Sequence, residues 1–124
     1  MIKIVQKGWG TEEWVVNKEY CGKILTVYPE KKCSVHAHIN KSESFLVLDG
    51  VLVVDICYHI NMQDVDIEYW NTWSNRIILE KGMSLDIEPC QYHKFTSGVA
   101  YPTRFIEFST HHEDSDSYRL IKGD

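Results

Sequence analysis

The chain has no run of the roughly 18 apolar residues that a membrane-spanning helix needs. It also has no basic block. Lysine and arginine number 13 against 18 acidic residues, for a formal net charge of −5. Nucleic acid and anionic membrane surfaces are therefore not expected partners. The opening residues MIKIVQKGWG lack the apolar core of a secretory signal. Cysteine is sparse and scattered, at Cys21, Cys33, Cys57 and Cys90, with no Cys-x-x-Cys pair. That disfavours a zinc ribbon or a thioredoxin-like centre. With no secretory signal, the expectation is a cytoplasmic protein whose thiols stay reduced. No long amphipathic helix, internal repeat, low-complexity segment or linker appears. A chain of 124 residues is thus expected to be a single domain, 1–124, large enough to bury a core without disulfides.

What remains is a series of short β-forming runs separated by turns. Ile2 to Val5 is apolar, and Gly8, Gly10 and Thr11 mark a turn. Gly22 to Tyr28 is rich in β-formers and is closed by Pro29-Glu30-Lys31-Lys32. Cys33 to His38 alternates, and Ile39 to Ser42 breaks the pattern. Glu43 to Leu48 and Val51 to Tyr58 flank Asp49-Gly50, a dipeptide that predicts a hairpin between two such runs. Residues 59–75 predict a longer loop with one helical turn. Further strands are expected at Arg76–Leu79, Met83–Ile87, Gln91–Phe95, Pro102–Ser109 and Ser117–Ile121. Many short strands at intervals of roughly ten residues predict an all-β sandwich or closed barrel.

His36 and His38 lie two apart in one of these strands, so they share a face. Imidazole is the commonest metal-binding side chain, and two on one face make half a site. Glu43 heads the next strand and would return beside them if the two strands pair antiparallel. His93 follows Pro89 much later and can complete the set. Three imidazoles and a carboxylate suit Zn, Mn, Fe, Ni or Co as divalent ions. An octahedral ion so held keeps two positions open for substrate oxygens or O2.

These residues resemble the cupins. The first cupin motif has Gly, five residues, His-x-His, a short gap, Glu, six residues, Gly. Here it runs from Glu30, which stands for the first Gly, through His36, His38 and Glu43 to Gly50. The second motif begins at Gly82 and reaches His93 in register. Glu88, Cys90 and Ser97 stand where that motif has Pro, Gly and Asn, and Pro89 comes one position late. These departures leave every ligand in place and put the turn at Cys90 in question. The resemblance implies a double-stranded β-helix, or jelly-roll barrel, with a metal inside its mouth, and frequent homodimers. A fainter resemblance lies outside the motifs. Gly8-Trp9-Gly10, Trp14 and Gly22 to Leu25 are similar to the start of cupins of the phosphomannose isomerase type. Pro102 to Thr110 and Asp114 to Arg119 are similar to the end of sugar-active cupins.

Other polar residues have two readings each. Glu107, between apolar Ile106 and Phe108, is expected to face the pocket as a base with a raised pKa; the alternative is the outer face of the sheet. Lys23 and Arg104 could hold an anionic group, but surface solvation is expected of each. His59, His111 and His112 sit in polar segments and are expected to be solvated. Cys90 is expected to be structural. Trp9, Trp14, Trp70 and Trp73 could stack on sugars; packing in the core or a dimer interface is expected instead.

Three functions fit. The first is a metal-dependent isomerase or epimerase of a sugar or sugar phosphate, with Glu107, or Glu43 released from the metal, as base. The second is an Fe(II)-dependent dioxygenase. The third is a non-enzymatic module that binds a small molecule.

Overall fold

A computed structural model describes residues 2–124. Eleven strands form two antiparallel sheets. The first sheet has the order β1-β2-β3-β10-β5-β8, from Lys3–Lys7, Gly10–Asn17, Tyr20–Val27, Thr103–Thr110, Glu43–Asp49 and Ser84–Ile87. The second has the order β11-β4-β9-β6-β7, from Tyr118–Ile121, Val35–Ala37, His93–Ser97, Val51–Ile56 and Asn75–Glu80. The sheets face one another, and strands distant in sequence sit side by side. This is the jelly-roll pairing of an all-β barrel.

The alternation of strand side chains builds the interior. On β3 the residues Lys23, Leu25 and Val27 are buried; on β5, Glu43, Phe45 and Val47; on β10, Thr103, Phe105 and Glu107. In register, Phe105 lies opposite Leu25 and Val47, while Glu107 lies opposite Lys23 and Phe45. Each inward row is thus apolar toward one end of the barrel and ionisable toward the other. From the facing sheet, Leu52, Val54, Ile56 and Phe95 complete the apolar end. One periodicity makes both the core and a polar mouth.

β4 is covered on both faces. His36 points into the barrel, while Val35 and Ala37 pack outward against Cys57, Val65, Trp70 and Tyr92. Trp70 belongs to the single helix, α1 (Ile67–Trp73), whose first turn is capped by Asp66 accepting from the Tyr69 N–H at 2.7 Å. The expected loop over 59–75 therefore holds a 3-10 turn at Met62–Asp64 and this helix.

Two expectations need correction. Asp49-Gly50 does not close a hairpin, since β5 pairs with β10 and β8 while β6 pairs with β9 and β7. The dipeptide instead carries the chain from one sheet to the other. Gly50 adopts φ 87° there, and a Cβ on it would stand 2.5 Å from Thr103 Oγ1. β2 was not foreseen beyond the turn at Gly8 to Thr11; its side chains are mostly half-buried, which hides the alternation. All four cysteines are free. Among the described residues no helix is long and apolar enough to cross a membrane.

Candidate metal centre

The register of the second sheet sets His36 directly beside His93 on neighbouring strands. His38 follows at the end of β4, and one ring nitrogen from each of the three lies within 4.8 Å of the others. Each ring is fixed through its Nδ1, which donates to a backbone carbonyl. His36 Nδ1 donates to Ser34 O at 2.8 Å, His38 Nδ1 to Asp116 O at 2.8 Å, and His93 Nδ1 to Gln91 O at 2.9 Å. A carbonyl can only accept, so Nδ1 carries the hydrogen in each ring. In the neutral ring the lone pair is then on Nε2, the arrangement in which imidazoles hold metals.

Glu43 joins them from the opposite sheet, not from a strand paired with β4 as the conditional reading supposed. Its Oε1 lies 2.8 Å from His93 Nε2 and 3.9 Å from His38 Nε2. The 2.8 Å approach lacks hydrogen-bond geometry. Both Glu43 oxygens and His93 Nε2 are buried without a hydrogen-bond partner. Buried polar atoms left in this way are costly, and a cation among them removes the cost. His36, His38, Glu43 and His93 therefore fit a divalent metal. Cys90, in the place of the second motif's Gly, keeps the left-handed turn at φ 70°, and its N–H donates to His38 O at 2.6 Å. Glu30, in the place of the first motif's Gly, likewise has φ 63°.

The wall of the centre is a buried charge network. Lys41 Nζ lies 3.3 Å from Glu43 Oε2 and 3.3 Å from Glu107 Oε2, and 3.0 Å from His112 Nδ1. Lys23 Nζ lies 3.9 Å from Glu107 and 3.8 Å from Glu12, with the Trp14 ring 4.1 Å away. Glu107 thus faces the pocket, as expected. Arg104 is exposed, as expected, but Lys23 is only 2% exposed, which corrects its surface reading. Its neighbours Glu12, Glu107 and Trp14 hold the charge inside. His112 is also not simply solvated, because β10 leads it back over the mouth. His111 is exposed. Trp9 and Trp70 are core residues, while Trp73 is exposed.

Burial, with His93 and His38 nearby, holds His36 well below the usual imidazole range. Burial likewise brings His38 down to about 4. Burial alone would raise Glu43, but His93, Lys41 and His38 outweigh it and hold the carboxyl low. Burial also works against the charge on Lys41, and there Glu107 and Glu43 win and raise it. Glu107 is pushed up to about 7, by burial first and then by Glu43. The site thus joins two imidazoles held neutral, His36 and His38, an ionised carboxylate at Glu43 and a second carboxyl able to exchange a proton near neutrality. His36, His38, Lys41 and Glu107 border a cavity of about 700 Å³.

Sequence reasoning missed Lys41, Glu12 and Asp116. Lys41 had a signal: it precedes Glu43 by two and continues the inward parity of β5 backwards. Asp116 acts on His38 through its carbonyl, which any residue possesses, so no side-chain pattern marks it.

A family model described as D-lyxose isomerase matches residues 4–120. No curated protein matches by sequence. Among solved structures, the capsular polysaccharide assembling protein CapF from Staphylococcus aureus matches with a TM-score of 0.78 at 16% identity, over 98% of this chain and 32% of that one. Oxalate decarboxylase from Lactobacillus farciminis gives 0.74 at 13% identity, over 96% of this chain and 33% of that one. The Bacillus subtilis oxalate decarboxylase, which has Mn(II) centres, gives 0.74 at 13% identity, over 95% and 30%. The chain spans about a third of the length of these structures, and likenesses this distant establish the fold alone. The family match covers nearly the whole chain, and the motifs and barrel agree with it: the chain belongs to the D-lyxose isomerase family, a family of cupins.

Proposed function

We propose that the chain is a divalent-metal-dependent isomerase that interconverts an aldose and its 2-ketose, with D-lyxose, the sugar in the family's name, as the first substrate to test. The observation that carries this is the convergence of His36, His38, His93 and the orphaned Glu43 oxygens beside Glu107. His36, His38, Glu43 and His93 would hold the metal, which would supply Lewis-acid polarisation to a bound sugar. Mn(II) is the ion to load first, since three nitrogens and an oxygen suit it and a related barrel contains it.

Glu107 is the base. With its carboxyl raised to about 7, it takes a proton from C2 and delivers one to C1, while the proton of the C2 hydroxyl passes to the C1 oxygen. Lys23 and Lys41 flank its carboxylate and fix its position. The unit acts as one cupin domain, 1–124, in a cytoplasmic setting suited to its free thiols. It pairs as a homodimer through the edge strand β1, where Ile4, and Ile2 just before the strand, are exposed.

The test is metal content by elemental mass spectrometry, followed by aldose turnover in D2O. Near one equivalent of metal is expected, lost in the His36→Ala, His38→Ala double variant. Deuterium is expected at C1 of the ketose as it forms, and at C2 of the aldose through the return reaction. Metal-loaded protein that converts no member of a broad aldose and aldose phosphate panel refutes the isomerase reading. Oxygen uptake by iron-loaded protein would replace it with a dioxygenase.

A further inference from the structure

The buried cations of the cavity are already matched: Lys23 by Glu12 and Glu107, and Lys41 by Glu43 and Glu107. Three further cations on the same cavity are not. Lys7, Arg119 and Lys122 line it, are exposed, and among the described residues have no carboxylate in salt-bridge contact. They come from two segments: Lys7 from β1, and Arg119 and Lys122 from β11 and the residue that follows it. Two acids share this rim, Asp114 and Asp124, and each is hydrogen-bonded to another group while Lys7 acts on Asp114 only at longer range. Asp114 Oδ1 is 2.9 Å from His112 Nε2, and Asp124 Oδ2 accepts the Lys32 N–H at 2.9 Å.

The rim is held in place. Arg119 is the register partner of His36, so its side chain rises from the face that carries a metal ligand. Asp124 N–H donates to Lys32 O at 2.9 Å, and together with the return bond this pins the segment bearing Lys122. In a chain of net charge −5, three cations free of ion pairs at one mouth outnumber the two acids there, and above the proposed sugar site they offer donors to an anion.

We infer that this rim binds a terminal phosphate, so that the physiological substrate is a phosphorylated aldose. The phosphate would be gripped at the mouth while the carbonyl end reaches the metal centre. A phosphate dianion offers three acceptor oxygens, which suits the planar fork of Arg119 and two ammonium groups better than a two-oxygen carboxylate does. The inference rests on the isomerase reading for the sugar and adds the anionic end.

The test uses probes that cannot turn over: lyxitol, lyxitol 5-phosphate, and the same pentitol with a C5 carboxylate. Each is titrated calorimetrically into the metal-loaded protein at low ionic strength. The phosphate is expected to tighten binding by about tenfold or more, an advantage that shrinks as salt is added. Arg119→Ala, its milder form Arg119→Gln, and the Lys7→Ala, Lys122→Ala pair should each lose most of that advantage. Lys81→Ala, a lysine on a distant turn, should keep it. Equal binding of lyxitol and its phosphate overturns the inference and leaves the isomerase reading standing. Equal binding of the carboxylate and the phosphate also overturns it. If the phosphate binds tightly but no aldose or aldose phosphate is ever isomerised, the anion site stands and the isomerase reading falls.

Discussion

Glu107 has two ammonium groups near its carboxylate, yet it titrates near neutrality because burial and Glu43 oppose the charge. A base works only when deprotonated, so the rate is limited below its pKa. In the metal-loaded protein we expect kcat/KM to climb with pH through a limb below about 7 and then flatten. A cation that neutralises Glu43 moves this limb to lower pH. Glu107→Gln should lower kcat by about 10²- to 10⁴-fold and abolish the limb. A limb that persists in the variant assigns the proton transfer to another group. At this same scale Glu30 and Cys90 hold φ 63° and 70°, which non-glycine residues adopt at a cost. Glu30→Gly and Cys90→Gly should each stabilise the protein by about 0.5–1 kcal/mol in urea unfolding, the strain relief exceeding the added chain entropy of glycine. Destabilisation by either would show that the side chain contributes contacts that outweigh the strain.

The elements around β4 decide how firmly the imidazoles are aimed. The 3-10 turn Asp114–Asp116 places the Asp116 carbonyl on His38 Nδ1, and its carboxylate accepts from Ile39 N at 2.9 Å and Asn40 N at 3.0 Å. Asp116→Ala is expected to release this turn. Metal affinity should fall by about 10- to 100-fold in a competition titration, while the ligands themselves stay in place. Unchanged affinity would mean that the carbonyl keeps its position unaided. Here also lies the boundary of what the sequence reveals. His36, His38, Glu43 and His93 were legible because ligand type and strand parity are written in the chain. Glu107 was legible as an acid among apolar neighbours. The partnership of Glu43 with the histidines was legible too, but its route was not, since sheet membership depends on pairing between distant strands. The same dependence made Asp49-Gly50 resemble a hairpin. Lys23 looked like a surface residue because its partners, Glu12 and Glu107, are brought to it only by β2 and β10.

At the scale of the whole molecule, β4 is a shared wall. Its inner face carries His36, and its outer face is the floor on which Val35 and Ala37 meet Trp70 and Tyr92. Three residues of strand thus border the candidate metal centre on one face and the helical layer on the other. Trp70→Ala, which touches none of the proposed ligands, should cost about 3–5 kcal/mol of stability. It should also speed the loss of metal to a chelator. Loss at the wild-type rate would mean that the two faces are uncoupled. If they are coupled, the order of events on warming follows. The outer layer softens first, the ion departs with it, and the apolar end of the barrel, anchored by other strands, is the last part to melt.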